Sequence, residues 1–250
     1  VYACADSSCQ LAPGEKVKAK VKFKRPTLRD FLKGKVKGLF QMTATAQHQP
    51  FTMQLLHNAD VDGNGPLANV RNFSGLLDKF RSEMPNNTLY LSSGDNWIPG
   101  PTYAAAANEA LATLLGIPGE GRGDVEMLNL MGVAASAIGN HELDAGLDTF
   151  AAIIGAEDTG TAQWSGAQFP YLSSNLDFSA STTSAAAPVT ADAMPAKPNS
   201  IARSVIVTVN DERIGVVGAT TPKLAQITST DDLVITPPLL GTDIDINEMI

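Results

Sequence analysis

The stretch VAASAIGNHELDAG, residues 133–146, reads as a short apolar strand running into a glycine, an amide, an imidazole and two acids. An Asn-His pair alone could be a helix cap, so its meaning depends on what stands beside it. Two earlier runs end the same way. FTMQLLHN, residues 51–58, leads into Ala59-Asp60-Val61-Asp62-Gly63, and TLYLSSGD, residues 88–95, ends on Gly94-Asp95. Three successive strands therefore carry Asp60, Asp62, Asp95, Asn140 and His141 to one rim of a sheet, the carboxyl rim at which open α/β sheets bind ligands. Gly63, Gly94 and Gly139 let the backbone bend tightly there. Carboxylates gathered in this way repel one another unless cations neutralise them, which makes metal the economical explanation.

Helical patterns separate these strands. LANVRNFSGLLDKFRSEM places Leu67, Val70, Phe73, Leu76, Leu77 and Phe80 at helical spacing, and YAAAANEALATLLG predicts one helix ended by Gly116. GLDTFAAIIG is helical, FPYLSSNL is extended, and SVIVTVNDERIGVVGAT predicts a hairpin turning at Asn210-Asp211. Alternating strands and helices imply an α/β sheet packed between layers. Residues 177–200 are rich in Ala, Ser, Thr and Pro and read as a surface insertion.

The chain has 250 residues, 44% hydrophobic and 18% charged, enough to bury a substantial core. No apolar run is long enough to span a membrane. Residues 16–37 hold ten of the eighteen Lys and Arg, and KVKAKVKFK alternates lysine with apolar residues as an edge strand with one wet face would. Residues 1–50 are therefore read as a basic N-terminal extension and 51–250 as the working domain. That domain carries 8 basic and 23 acidic side chains, a net of −15, which repels polyanions and argues against nucleic acid as a partner. Cys4 and Cys9 could close a small disulfide loop, although spacing cannot prove the pairing. Low cysteine usage and an acidic pI of about 4.8 favour a secreted, periplasmic or cell-surface protein.

DVD at 60–62, GD at 94–95 and GNHE at 139–142 resemble the Asp-x-His, Gly-Asp and Gly-Asn-His-Glu/Asp pattern of the calcineurin-like metallophosphoesterases. GNHELDAG, FPYLSSNL and RIGVVGATTPK resemble the 5′-nucleotidase group in particular. The resemblance spans roughly residues 51–250. It implies a layered αββα sandwich and a metal-dependent phosphoric ester hydrolase, a 5′-nucleotidase or broad-specificity phosphatase. It also implies two divalent ions. Asp60 and Asp62 would bind one, Asp95 would bridge both, Asn140 would bind the second, and a metal-bound hydroxide would attack phosphorus in line. His141 would protonate or stabilise the leaving oxygen, with Asp144 orienting the ring and keeping it protonated. The substrate would be a small phosphate ester, a nucleotide above all.

Two departures accompany the likeness. Asp62 stands where the family has histidine, which favours manganese, iron, magnesium or calcium over zinc. The chain also holds only three histidines, His48, His57 and His141, of which His57 reads as a packed or hydrogen-bonded core residue. Further ligands and a separate substrate-binding domain are thus expected beyond Ile250, in a longer polypeptide or on a second chain. The alternative is a non-catalytic module of the same fold, serving surface adhesion or assembly and binding a cation only.

Overall fold

The computed structural model describes residues 51–61, 64–179 and 189–236. The basic extension with Cys4, Cys9 and His48, Asp62 and Gly63 of the first acidic loop, and the segment beyond Thr236 lie outside the described residues.

Five strands form a parallel sheet in the order β1 (Gln54–Asn58), β2 (Thr88–Ser92), β3 (Ala135–Ala137), β6 (Tyr171–Leu172) and β9 (Ile201–Ala202). The register sets Asn58 beside Ser92, Leu91 beside Ala135 and Ser136 beside Tyr171. Because all five strands run the same way, the loops after β1, β2 and β3 leave one rim, as the three sequence motifs require. A short hairpin, β4 (Glu157–Asp158) with β5 (Gln163–Trp164), and a bridge of β7 (Leu176–Asp177) with β12 (Val234–Ile235) flank the sheet. A second sheet is built from β8 (Met194–Pro195), β10 (Ser204–Val209) and β11 (Glu212–Val217). The β10–β11 hairpin turns at Asn210 and Asp211, with φ of 48° and 66°, the left-handed pair that a two-residue turn of matching twist needs. β8 belongs to the Ala/Ser/Pro-rich stretch, so the second half of that stretch is woven into a sheet rather than left as a bare loop.

Helices cover one face of the parallel sheet. In α1 (Asn64–Glu83), Leu77 is buried and Val70 and Phe73 pack on the same core, with the Phe73 ring edge-on to Tyr90 at 6.3 Å. Arg81, in the last turn, donates to the carbonyls of Met131 and Gly132, which pins the end of α1 to the loop before β3.

The helix expected over 103–116 is three short pieces: α2 (Pro101–Ala105), a 3-10 turn at Glu109–Leu111, and α3 (Ala112–Leu115). Asn108 is the reason. Its side chain accepts from Ala110 N at 2.9 Å and starts a new turn, so capping overrides the alanine propensity around it. A helix the sequence did not announce, α4 (Arg122–Met131), buries Val125, Leu128 and Met131 between Gly121 and Gly132, both left-handed. α5 (Leu147–Ile154) buries Phe150 and Ile154 completely.

Trp97, Phe150 and Tyr171 form the centre of this core, with ring centroids 5.3–6.2 Å apart. Each such ring contributes about 2–3 kcal/mol by burial. On the opposite face Ala135, Leu172 and Ala202 meet Val205 of the second sheet. The described residues thus supply a helix layer, a parallel sheet and a second sheet packed against it. The rim is held between two cores.

Candidate active site

Asp60 and Asp95 each follow a strand, and each adopts φ of 52°, a left-handed conformation that non-glycine residues rarely take. Their loops are stitched together: Ser93 N donates to Asn58 O at 3.0 Å and Asp60 N to Gly94 O at 3.3 Å. Positive φ at two aspartates on neighbouring strand ends is local strain that the surrounding bonds must hold.

Glu142 supplies much of that hold. It is 1% exposed, and its carboxylate accepts from Asp95 N at 2.9 Å, Asn96 N at 2.8 Å and Gly139 N at 2.7 Å. One side chain thus ties the loop after β2 to the loop after β3. Burial pushes its pKa up to about 7, against the opposing effect of the three backbone donors. Gly94 and Gly139 pack back to back at this crossing. A Cβ on Gly139 would come within 2.6 Å of Asp95 N, and one on Gly94, where φ is +89°, within 2.5 Å of Gly139 N. Both glycines are required by close backbone approach.

His141 sits on the resulting frame. Its backbone N donates to Asp95 Oδ1 at 2.9 Å, and its Nδ1 lies 2.6 Å from Asp144 Oδ2. The other Asp144 oxygen accepts from Thr228 Oγ1 at 2.7 Å, so the carboxylate that orients the imidazole is itself oriented. Beneath the rim a buried polar chain crosses four strands. Asn58 Nδ2 donates to Ser92 Oγ, Ser92 Oγ to Asn96 Oδ1, and Asn96 Nδ2 to Ser136 Oγ and Tyr171 Oη. Thr220 braces the far side, donating to Ile138 O at 2.7 Å, while Asn175 receives Thr220 N at 2.8 Å. Hydrogen-bonded networks of this kind rigidify what lies above them, although Asn58 Oδ1 is left without a partner.

Of the expected site residues, Asp95, His141 and Asp144 are brought into direct contact, and Asp60 joins them through the backbone of Gly94. Asn140 precedes His141, and its carbonyl accepts from Leu143 N at 3.1 Å. Asp62 lies outside the described residues. His57 is exposed rather than in the core, and is hydrogen-bonded to Ser93 Oγ. Glu142 and Thr228 are positioning residues that motif reading did not single out.

Could these residues hold a metal? The side chains of Asp60 and Asn140 and the second oxygen of Asp95 make no hydrogen bond among the described residues, and all are oxygen donors suited to a hard divalent cation. The donor set fits such an ion but leaves its shell incomplete: among the described residues no group of three His, Cys, Asp or Glu is close enough to hold an ion.

The same arrangement of layers occurs in the 5′-nucleotidase precursor of Thermus thermophilus, with a TM-score of 0.56 and 22% identity over 80% of this chain and 34% of that one. The fold is that of this 5′-nucleotidase precursor. The Haemophilus influenzae NAD nucleotidase shares this 5′-nucleotidase fold at a TM-score of 0.50 and 19% identity, over 78% of this chain and 31% of that one. Protein 5NUC of Lutzomyia longipalpis is 30% identical over 149 residues, 60% of this chain and 20% of that protein. The chain spans a fifth of the length of that relative and about a third of the two structures. No protein-family model matches it. No helix among the described residues is long and apolar enough to cross a membrane.

Proposed function

We propose that the chain is part of a metal-dependent phosphoric ester hydrolase that acts on nucleotides. The observation that carries this reading is the His141–Asp144 pair, held against Asp95 by a backbone hydrogen bond of 2.9 Å. A module that only binds a cation needs no imidazole fixed in one orientation beside an acidic rim; a phosphoester hydrolase does, because the leaving oxygen must be stabilised or protonated. The two solved structures that share the fold are named as nucleotidases, which supports a nucleotide substrate.

Asp60, Asp62, Asp95 and Asn140 would hold the divalent cations, which would polarise a phosphoryl oxygen and activate the attacking water. This chain's own residues do the positioning. Asp60 and Asp95 present oxygen from strained turns that Glu142 and the two glycines fix. Asp144 takes the Nδ1 hydrogen and so directs the opposite edge of the His141 ring outward, where a phosphate ester would place its leaving group. Remaining ligands and the groups that grip the base or sugar would come from sequence outside residues 51–236. An acidic pI of about 4.8 and low cysteine usage support a secreted, periplasmic or surface location.

Purified full-length protein offered AMP, ADP, ATP and p-nitrophenyl phosphate with manganese should release phosphate. His141→Ala should lower that release at least ~100-fold while leaving metal content within about a third of the wild type. Parallel loss of metal and activity would move His141 into the metal shell.

A further inference from the structure

Asp95 is gripped from two sides. On the β3 side the buried Glu142 takes its backbone N–H. On the β1 side the grip passes through the loop itself, where Ser93 N donates to Asn58 O at 3.0 Å and Asp60 N to Gly94 O at 3.3 Å. One side-chain contact joins this second group: His57 Nε2 is hydrogen-bonded to Ser93 Oγ.

The register explains the contact. β1 and β2 run parallel with His57 beside Leu91 and Asn58 beside Ser92, so a side chain at 57 meets those at 91 and 93 on one face. Asn58 and Ser92 turn to the other face and join the buried polar chain. Ser92 and Ser93 are thus held on opposite faces of the sheet, the first from within and the second from the surface. Both members of the His57–Ser93 pair are exposed. A hydrogen bond in that setting exchanges readily with water and adds little to stability. Its position says more. Ser93 stands directly before Gly94 and Asp95, with φ of 89° and 52°, and His57 stands three residues before Asp60, whose φ is also 52°. The pair fixes the start of one strained turn against the strand that leads into the other.

We propose that His57 and Ser93 are positioning residues: their hydrogen bond sets the spacing of the Asp60 and Asp95 carboxylates, and so the affinity of the rim for a divalent cation. The inference rests on the metal-dependent reading of that rim and gives a histidine outside the ligand set a role in it. Groups that orient ligands without touching the ion govern affinity strongly. Here the orientation is passed through backbone, from the Ser93 hydroxyl to the Gly94-Asp95 turn and from His57 along the end of β1 to Asp60.

The test is manganese binding to the full-length protein, followed by the electron paramagnetic resonance of free Mn(II), with Asp95→Asn marking which binding belongs to the rim. His57→Ala and Ser93→Ala should each raise that Kd at least about fivefold. Thermal melts without metal should stay within about 2 °C of the wild type. His57→Gln, whose amide reaches as far as Nε2 and both donates and accepts, should hold the Kd within about twofold. The double alanine variant should bind no more weakly than the weaker single one, because both lose the same bond. A smaller rise in either alanine variant, losses that multiply in the double variant, or melts lowered beyond that margin would each overturn the proposal. Binding is read without turnover, so the two readings fail separately. A wild type that binds manganese at the rim but releases no phosphate would sink the hydrolase; alanine variants that bind as the wild type does would sink the positioning role. A wild type that binds no manganese at the rim would sink both.

Discussion

His141 Nδ1 stands 2.6 Å from Asp144 Oδ2, three residues along a single 3-10 turn. The pair is local in sequence but fixed from far away, since Thr228 grips the second Asp144 oxygen across 84 positions. A graded series follows. Asp144→Asn should reduce phosphate release by about 10- to 100-fold and Thr228→Val by a few-fold, both milder than loss of the imidazole. Steady-state kinetics on one nucleotide checks the order; a Thr228→Val effect larger than Asp144→Asn would break the proposed chain of support.

Among the described residues, Glu142 should matter to stability more than any other acid. Glu142→Gln puts an NH₂ group where one of three backbone N–H donors now points, so a buried donor faces a buried donor. A loss of about 2–4 kcal/mol is expected, read as a lower urea midpoint. A change below about 0.5 kcal/mol would show that the two rim loops hold together without it.

The glycines divide into two kinds. Gly75 is mid-helix with nothing within 4 Å of a built Cβ, so Gly75→Ala should stabilise by about 0.5–1 kcal/mol. Gly139→Ala drives a methyl into Asp95 and should cost at least about 2 kcal/mol and displace the aspartate. Thermal melts of the two variants should move in opposite directions.

Asp124 gives the pH dependence. Its pKa rises from 3.8 unfolded to about 6 folded, so between these values the folded state binds more protons than the unfolded one. Its contribution is fully present below pH 3.8 and is lost as pH rises through 6, about 3 kcal/mol in all. Urea denaturation of wild type and Asp124→Asn from about pH 4 to 7 should show a shallower slope in the variant, with the part that remains coming from buried Glu142, whose pKa is pushed up to about 7.

Much of the fold was legible because periodicity and turn chemistry agree with it. Val70, Phe73 and Leu77 mark α1, and Asn210-Asp211 marks the hairpin, since both can take positive φ at little cost. The break at Asn108 was hidden by the alanines around it, and α4 by Gly121 and Gly123, which dilute a run whose Val125, Leu128 and Met131 are nonetheless buried. The rim itself could be read, because parallel strands place Asp60, Asp95 and His141 on one side whatever else happens. Its bracing could not. Besides the local bond of Glu142 to Gly139, Glu142, Thr228 and Thr220 act through partners 45 to 84 residues distant, and nothing in their own neighbourhood announces a buried carboxylate or a gripping hydroxyl.

The central claim is that Asp95 serves metal-dependent phosphoester hydrolysis. The most direct measurement is phosphate release from AMP by the full-length protein after EDTA treatment and again after manganese is restored, for wild type and Asp95→Asn side by side. The account predicts release that EDTA abolishes and manganese restores in the wild type, and at least ~100-fold less release in Asp95→Asn than in the wild type once manganese is restored. Release that survives EDTA, or an Asp95→Asn protein as active as the wild type, would contradict it.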